Sequence, residues 1–253
     1  MKKPDTSWEP FAEWYDEHLQ GPGTYHSDVV LPNLLRILNL KNEEKILDCA
    51  CGQGFFSRAF SEAGASVTGV DASKSLIALA EKQSSKEIEF RVAPSDSMPF
   101  LKDASFDAAA IILAIQNIEN LSGTLSECAR IIKPGGRIAI VMNHPAFRIP
   151  KKSSWGWDEK EKLQYRRIDE YLTESKAKIE MHPGKGSGKS SLSFHRPLQS
   201  YFKQLSKHGF LVRRLEEWIS NKKSQPGLRA KAENKARHEI PLFLCIEGVK
   251  MSA

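Results

Sequence analysis

The spacing of apolar residues changes period near residue 45. Up to residue 40 it is helical: Trp8, Phe11, Tyr15 and Leu19 share one face, Gln20-Gly21-Pro22-Gly23 interrupts it, and Val29, Val30, Leu34, Leu35 and Leu38 line a second helix. From Lys45 short apolar runs alternate with helical stretches. Ile46–Cys49, Ser66–Asp71, Ile88–Val92, Phe106–Leu113 and Arg137–Met142 read as strands. Helices fill the intervals through Ala63, over Ser73–Lys82 and over Leu121–Ile132, with Lys133-Pro134-Gly135-Gly136 as a turn. Repeated β–α units of this kind predict a parallel sheet with helices on both faces. Residues 148–193 break the rhythm: they are rich in Lys, Ser and Gly yet hold Trp155, Trp157, Tyr165 and Tyr171, and read as an inserted lid. A helix over Pro197–His208 follows, with proline in its first turn, and the strands Leu211–Leu215 and Leu242–Val249 close the sheet.

Composition narrows the class. The chain has 253 residues, 40% of them apolar, enough for one domain with a sizeable core. It has no run of about 18 apolar residues, so no membrane-spanning helix is expected. Met1-Lys2-Lys3-Pro4-Asp5 leads into an acidic, aromatic segment, not a secretory signal, and four cysteines make no disulfide framework. A cytoplasmic protein with reduced thiols is the expectation. The net charge of +6 is uneven: residues 1–150 hold 15 basic and 19 acidic side chains, residues 151–253 hold 22 and 12. That leaves an acidic substrate or a nucleic acid as partners to weigh, although the basic residues are interspersed with acids as on an ordinary solvated surface.

The stretch Ile46-Leu47-Asp48-Cys49-Ala50-Cys51-Gly52-Gln53-Gly54 carries the most chemistry. A strand ends in an acid, and a turn of small residues opens a helix, so a ligand can lie against the backbone at the carboxyl edge of the sheet. It is not a dinucleotide fingerprint, because Ser57 stands where the third glycine belongs and Phe55-Phe56 crowd the helix start. Asp48 suits a ligand bearing an ammonium group. Asp71, which ends the next strand, can accept both hydroxyls of a ribose or simply cap the following helix. Gly184–Ser190 imitates a phosphate loop, but Pro183 replaces its first glycine and no strand precedes it. Cys49 and Cys51 have no second ligand pair, so no metal site is expected.

Four motifs in this order, Asp48–Gly54, Gly69-Val70-Asp71-Ala72-Ser73, Ser105-Phe106-Asp107 and Arg130–Gly136, make residues 11–147 similar to the class I S-adenosylmethionine-dependent methyltransferases of small, single-domain type, with a fainter echo over 194–250. The resemblance implies an α/β, Rossmann-like, seven-stranded, mostly parallel sheet with a reversed last strand. It also implies S-adenosyl-L-methionine as cofactor, with Asp48, Ala50, Cys51, Gly52, Gln53 and Gly54 at its methionine end. Asp71 would hold the ribose and Ala72 would lie under the adenine. Ser95 would offer a backbone N–H to the adenine edge. Pro94 stands where the family has an acid, so either Asp96 supplies that carboxylate or nothing does. Ile111 and Ile112 would flank the cofactor, and Tyr15 would close over it.

The whole chain then reads as a single methyltransferase domain: an N-terminal helical cap over 1–40, a cofactor-binding core over 41–147, a lid over 148–193 and a closing helix and strand pair over 194–253. The expected activity is methyl transfer to oxygen or nitrogen of a small molecule. His144, just past the fifth strand, is the expected general base and His195 the reserve. Arg148, Arg166, Arg167 and Arg196, with the lid aromatics, suggest an aromatic or acidic acceptor. The rival readings are an RNA methyltransferase using the basic half, and a cofactor-binding module without catalysis; the oligomeric state is open.

Overall fold

The computed structural model describes residues 8–9, 23–180 and 190–252. The helix expected from Trp8 therefore lies outside the described residues except for its first two. The chain enters through a π-turn, His26–Val30, into helix α1 (Leu31–Leu38). Strand β1 (Lys45–Cys49), helix α2 (Phe55–Glu62), β2 (Ser66–Asp71), α3 (Lys74–Gln83), β3 (Glu89–Val92), β4 (Phe106–Ile112), α4 (Leu121–Ile131) and β5 (Ile132–Asn143) follow. After an excursion the chain returns through α5 (Leu198–Lys207), β10 (Phe210–Trp218), α6 (Ala230–Glu239) and β11 (Phe243–Lys250).

Seven of these strands form one sheet in the order β10-β11-β5-β4-β1-β2-β3. Strand β11 runs antiparallel to both its neighbours, β10 and β5, and is the reversed last strand. Strand order reverses between β1 and β4, where a crevice opens at the carboxyl edge. Period-two alternation divides the strands between two cores. Ala108, Ala110 and Ile112 of β4, with Ala139 and Val141 of β5, pack towards α1, α2 and α3. Ala109, Ile111, Ile138, Ile140 and Met142 pack towards α4 and α5. Fully burying such side chains contributes roughly 1.5–3 kcal/mol each, which is why the central strands read as continuous apolar runs.

Two of the motifs fasten this frame. Asp107 accepts from the Lys45 N–H at 2.9 Å and from Lys133 Nζ at 2.5 Å, tying the starts of β1, β4 and β5 together. Arg130 donates to the Met98 and Leu101 carbonyls at 3.0 and 2.7 Å and pairs with Glu127, so α4 holds the loop after β3 against the crevice. The Lys133–Gly136 turn is an irregularity inside β5, with Gly135 at φ +78°.

The excursion, expected as an inserted lid, has secondary structure of its own. It folds into two antiparallel hairpins, β6 (Ser153–Asp158) with β7 (Leu163–Ile168), and β8 (Ser175–Glu180) with β9 (Ser190–His195). Asp158 closes the first by accepting the N–H groups of Lys160 and Glu161 at 2.9 Å. The phosphate-loop lookalike lies outside the described residues, apart from Ser190. Helix α6 stands between the last two strands, where the sequence pattern predicts no element, and packs on β7; Ala236 is its buried residue. Among the described residues no helix is long and apolar enough to cross a membrane.

Phe90 of β3 packs against both Gly54 and Gly69. A Cβ on Gly69 would stand 2.6 Å from the Phe90 ring and 3.0 Å from Cys51 Sγ. Gly69→Ala should therefore destabilise the fold by about 1–3 kcal/mol, read as a lower urea midpoint at constant slope. An unchanged midpoint would mean that this strand crossing is looser than described.

Candidate functional site

Between β1 and α2 the chain turns in five residues. Ala50, Gly52 and Gly54 all take left-handed backbone angles, at φ +61°, +57° and +80°. Glycine takes such angles freely, whereas an alanine there is strained, and strain of this kind concentrates at ligand sites. The turn is locked to β2: the Cys51 N–H donates to the Val70 carbonyl at 3.1 Å, and the Gly52 N–H to Asp71 Oδ2 at 2.9 Å. The other Asp71 oxygen accepts from the Ser73 N–H at 2.9 Å. Burial raises the Asp71 carboxyl above the ordinary carboxylate range, and these two N–H donors oppose that rise.

Asp48 lies deeper, 2% exposed, and accepts from Ser57 Oγ at 2.6 Å. Burial first, and the neighbouring Asp71 charge as well, push its carboxyl up to about 7 against the opposing Ser57 hydroxyl. An acid held this way gains from a cationic ligand, which restores its ionised form.

These residues form one wall of a cavity of about 900 Å³ at the carboxyl edge of the sheet. Asp48, Ala50, Cys51, Gly52, Gln53, Asp71, Ala72, Ser95, Asp96 and Ile112 of the expected set line it. Ser95 Oγ lies 2.8 Å from Thr124 Oγ1, and Asp96 accepts from Asn120 Nδ2 at 2.7 Å, so α4 fixes both. Glu9 accepts from the hydroxyls of Ser73 and Ser75, each at 2.6 Å, and brings Trp8 to the cavity wall. The opposite wall comes from the loops after β4 and β5 and from the second hairpin, through Ile179, Ser191 and Ser193. Asn117 Nδ2 donates to the Leu192 carbonyl at 2.8 Å, fastening that hairpin across the opening.

Several expected residues stand elsewhere. Gly54 is turned inward, where a Cβ would meet Phe90 at 3.0 Å and Ala80 at 3.2 Å; it lets α2 approach the sheet. Ile111 is fully buried in the core on the far face, because alternation gives the cavity only its neighbour Ile112. Tyr15 lies outside the described residues. His144 is buried beside the cavity and both ring nitrogens are engaged: Nδ1 accepts from the Ala146 N–H at 3.2 Å, so Nε2 carries the proton and donates to Glu217 Oε1 at 2.7 Å. The preceding residue, Asn143, is the one that faces the cavity. His195 is buried too and donates to the Tyr171 carbonyl at 2.8 Å, holding the segment before β8. Arg167 pairs with Asp169 at 2.9 Å, and buried Arg196 donates to the Ile118 and Glu119 carbonyls at 2.9 and 2.7 Å.

Arg148, expected near the acceptor, does line the cavity, and the fold adds Tyr25, His26, Phe55, Phe56 and Gln116. His26 is the histidine among the described residues that lines it, tilted against the Phe56 ring at 6.0 Å. Sequence reasoning passed over it because His26 sits in a helical run, where its neighbours Val29 and Val30 carry the periodic signal. Gln116 donates to the Leu113 carbonyl at 2.5 Å while its Oε1 is buried with no partner among the described residues.

Comparison with known proteins follows the same lines. Residues 47–140 match the family described as "Methyltransferase domain". The chain is 34% identical over 113 residues to the demethylmenaquinone methyltransferase of Tropheryma whipplei (strain Twist), covering 44% of this chain and 46% of that protein. It is 31% identical over 98 residues to the ubiquinone biosynthesis O-methyltransferase of Idiomarina loihiensis, covering 38% and 40%. The matched region thus spans less than half of these relatives. A solved S-adenosylmethionine-dependent methyltransferase from Mesorhizobium loti superposes with a TM-score of 0.68 at 25% identity, over 86% of this chain and 96% of that one.

The surroundings of His144 make a solution prediction. Burial holds its imidazole below the ordinary value of about 6.5, against the opposing pull of Glu217. A folded state that resists protonation loses stability as pH falls through 6.5, where the unfolded chain binds the proton. On moving from pH 7.5 to 5.5 the thermal midpoint of the wild type should fall by more than that of His144→Gln. Parallel declines would show that the ring is freely protonated in the fold.

Proposed function

We propose, on the premise that residues 47–140 are a methyltransferase domain of class I fold, that this chain transfers a methyl group from S-adenosylmethionine to oxygen or nitrogen of a small molecule held in the described cavity. The observation that carries this reading is the pair of acids on consecutive strand ends, buried Asp48 and half-buried Asp71, flanking a strained small-residue turn on one cavity wall. The donor set fits the cofactor: Asp71 keeps lone pairs for two ribose hydroxyls beyond the Gly52 and Ser73 bonds, and Asp48 meets an ammonium group. The cavity is at the upper end of the usual range for ligand sites, enough for a nucleoside-sized cofactor and a second small molecule.

When bound, the cofactor supplies a methyl group already activated by a positive sulfonium. What the protein adds is placement and exclusion of water. Asp71 and the Ala50–Gln53 turn fix one partner, while Tyr25, Phe55, Phe56 and Phe243 give an apolar bed for the other. His26, on the cavity wall, is positioned to take a proton from an acceptor that must lose one. The named relatives methylate small molecules, which supports the same class of acceptor here. Several basic residues of the second half stand in ion pairs, as do Lys152 with Glu170, Arg214 with Glu216 and Arg229 with Glu159, as on a solvated surface. Incubating the protein with methyl-labelled S-adenosylmethionine and a panel of phenols and amines tests the reading. Label in a small product supports it, whereas tight cofactor binding with no transfer to any acceptor favours a non-catalytic module.

Asp48 links cofactor affinity to pH. Its carboxylate form is the one that meets an ammonium group, so affinity for S-adenosylhomocysteine should rise from pH 5.5 and level off above about 7. Because the folded state holds this proton more tightly than the unfolded chain, Asp48 contributes stability below the ordinary carboxylate range, and that contribution is lost as pH rises through about 7. Asp48→Asn should therefore bind more weakly, with a flat pH profile. It should also melt a few degrees higher at pH 8, ~1 kcal/mol being worth about 2–4 °C in a chain of this size. Parallel binding profiles for the two proteins would remove Asp48 from the cofactor site.

A further inference from the structure

Beside the main cavity lies a cleft of about 60 Å³, lined in part by Arg148, Arg166 and Arg237 and by no acid among the described residues. Three parts of the chain supply these arginines: the loop after β5, strand β7 and helix α6. The cleft shares Tyr25, Arg148 and Leu242 with the main cavity, so one molecule can reach into both. Most arginines here have acidic partners, as Arg36, Arg91, Arg130, Arg137, Arg167, Arg214 and Arg229 show. These three form no ion pair with a described residue.

Their arrangement is held in advance. Arg166 Nε donates to the Phe147 carbonyl and Nη2 to Ser153 Oγ, each at 2.8 Å, and its guanidinium stacks 5.1 Å from the Trp155 ring centre on the paired strand. Nη1 is left without a described partner. Arg237, which lines the cleft, is steadied through Nε by Ser224 Oγ at 3.3 Å. Arg148 makes no side-chain hydrogen bond to a described residue. Burial weakens the hold of Arg148 and Arg166 on their protons, and for Arg166 the Arg148 charge adds to it. At about 60 Å³ the cleft is a small annex of the 900 Å³ main cavity, of a size for one small anionic group.

We propose that Arg148, Arg166 and Arg237 form an oxyanion subsite that anchors a carboxylate or phosphate of the methyl acceptor, whose remaining body lies in the main cavity. The proposal rests on the methyl-transfer reading for the word acceptor; the anion site itself rests on the cleft. Guanidinium forks suit both oxyanions, and an anchored charge would fix the distance from the anionic end to the atom that receives the methyl group.

The test is a set of fluorescence titrations with benzoate, phenyl phosphate and the neutral control benzamide, into the protein saturated with S-adenosylhomocysteine. Trp155, stacked on Arg166, places a reporter at the cleft. One or both anions should bind at least about tenfold more tightly than benzamide, and the stronger of the two identifies the oxyanion. Arg237→Gln, which can keep an N–H near the Nε position but removes the charge, should lose most of that preference without changing S-adenosylhomocysteine affinity; Arg166→Gln should do the same, and Arg237→Gln decides if Arg166→Gln misfolds. Equal binding of all three probes, or anion affinity unchanged in Arg237→Gln, overturns the subsite. If S-adenosylhomocysteine itself fails to bind the wild type, the cofactor reading falls, and the same titrations into the free protein still decide the subsite.

Discussion

The site is organised by one hydrogen bond across a strand pair, from the Gly52 N–H to Asp71 Oδ2. It joins the turn after β1 to the end of β2 at the edge where strand order reverses. Through it, a five-residue turn with three left-handed backbone angles becomes a fixed wall instead of a loose loop. The cost is two neighbouring carboxyls, one buried and one half-buried, each pushed upward in pKa. A fold that needed only a strand–helix connection would avoid that arrangement. A ligand that brings hydroxyls to one acid and a positive charge to the other turns the cost into binding energy.

The remaining parts position groups relative to that wall. Arg130 holds the loop after β3, carrying Ser95 and Asp96, onto the cavity. Asn117 and Arg196 tie the loop after β4 to the second hairpin and to the segment before α5. The first hairpin and α6 stand further out and enclose the arginine cleft. The excursion between β5 and α5 therefore divides into a piece that roofs the main cavity and a piece that shapes its annex.

The central sheet was legible in the sequence because buried parallel strands are continuous apolar runs punctuated by glycine and acid. The hairpins were not, because two-stranded ribbons open to solvent carry alternating polar residues, as Ser175-Lys176-Ala177-Lys178 does in β8. Helix α6 escaped for a related reason: it buries little beyond Ala236 and is otherwise charged. The small-residue turn and the strand-ending Asp71 stood out in the sequence as a motif, although spacing left a ribose acceptor and a helix cap equally open for Asp71, and only the fold turns Gly54 inward. His144 was not legible, since one residue of strand parity decides whether a side chain at the end of β5 faces the cavity or the far side, and its partner Glu217 lies on β10, 73 residues on. Arg237 carried no signal at all until the fold placed α6 beside β7.

The most direct test of the account is calorimetric titration of S-adenosylhomocysteine into the wild type and Asp71→Ala. Charge-assisted hydrogen bonds to two hydroxyls are worth about 1.5–3 kcal/mol each, so the variant, with unchanged secondary structure, should bind one equivalent at least tenfold more weakly. Equal affinity in a folded Asp71→Ala protein, or no binding to the wild type, would contradict the assignment of this cavity wall to the cofactor.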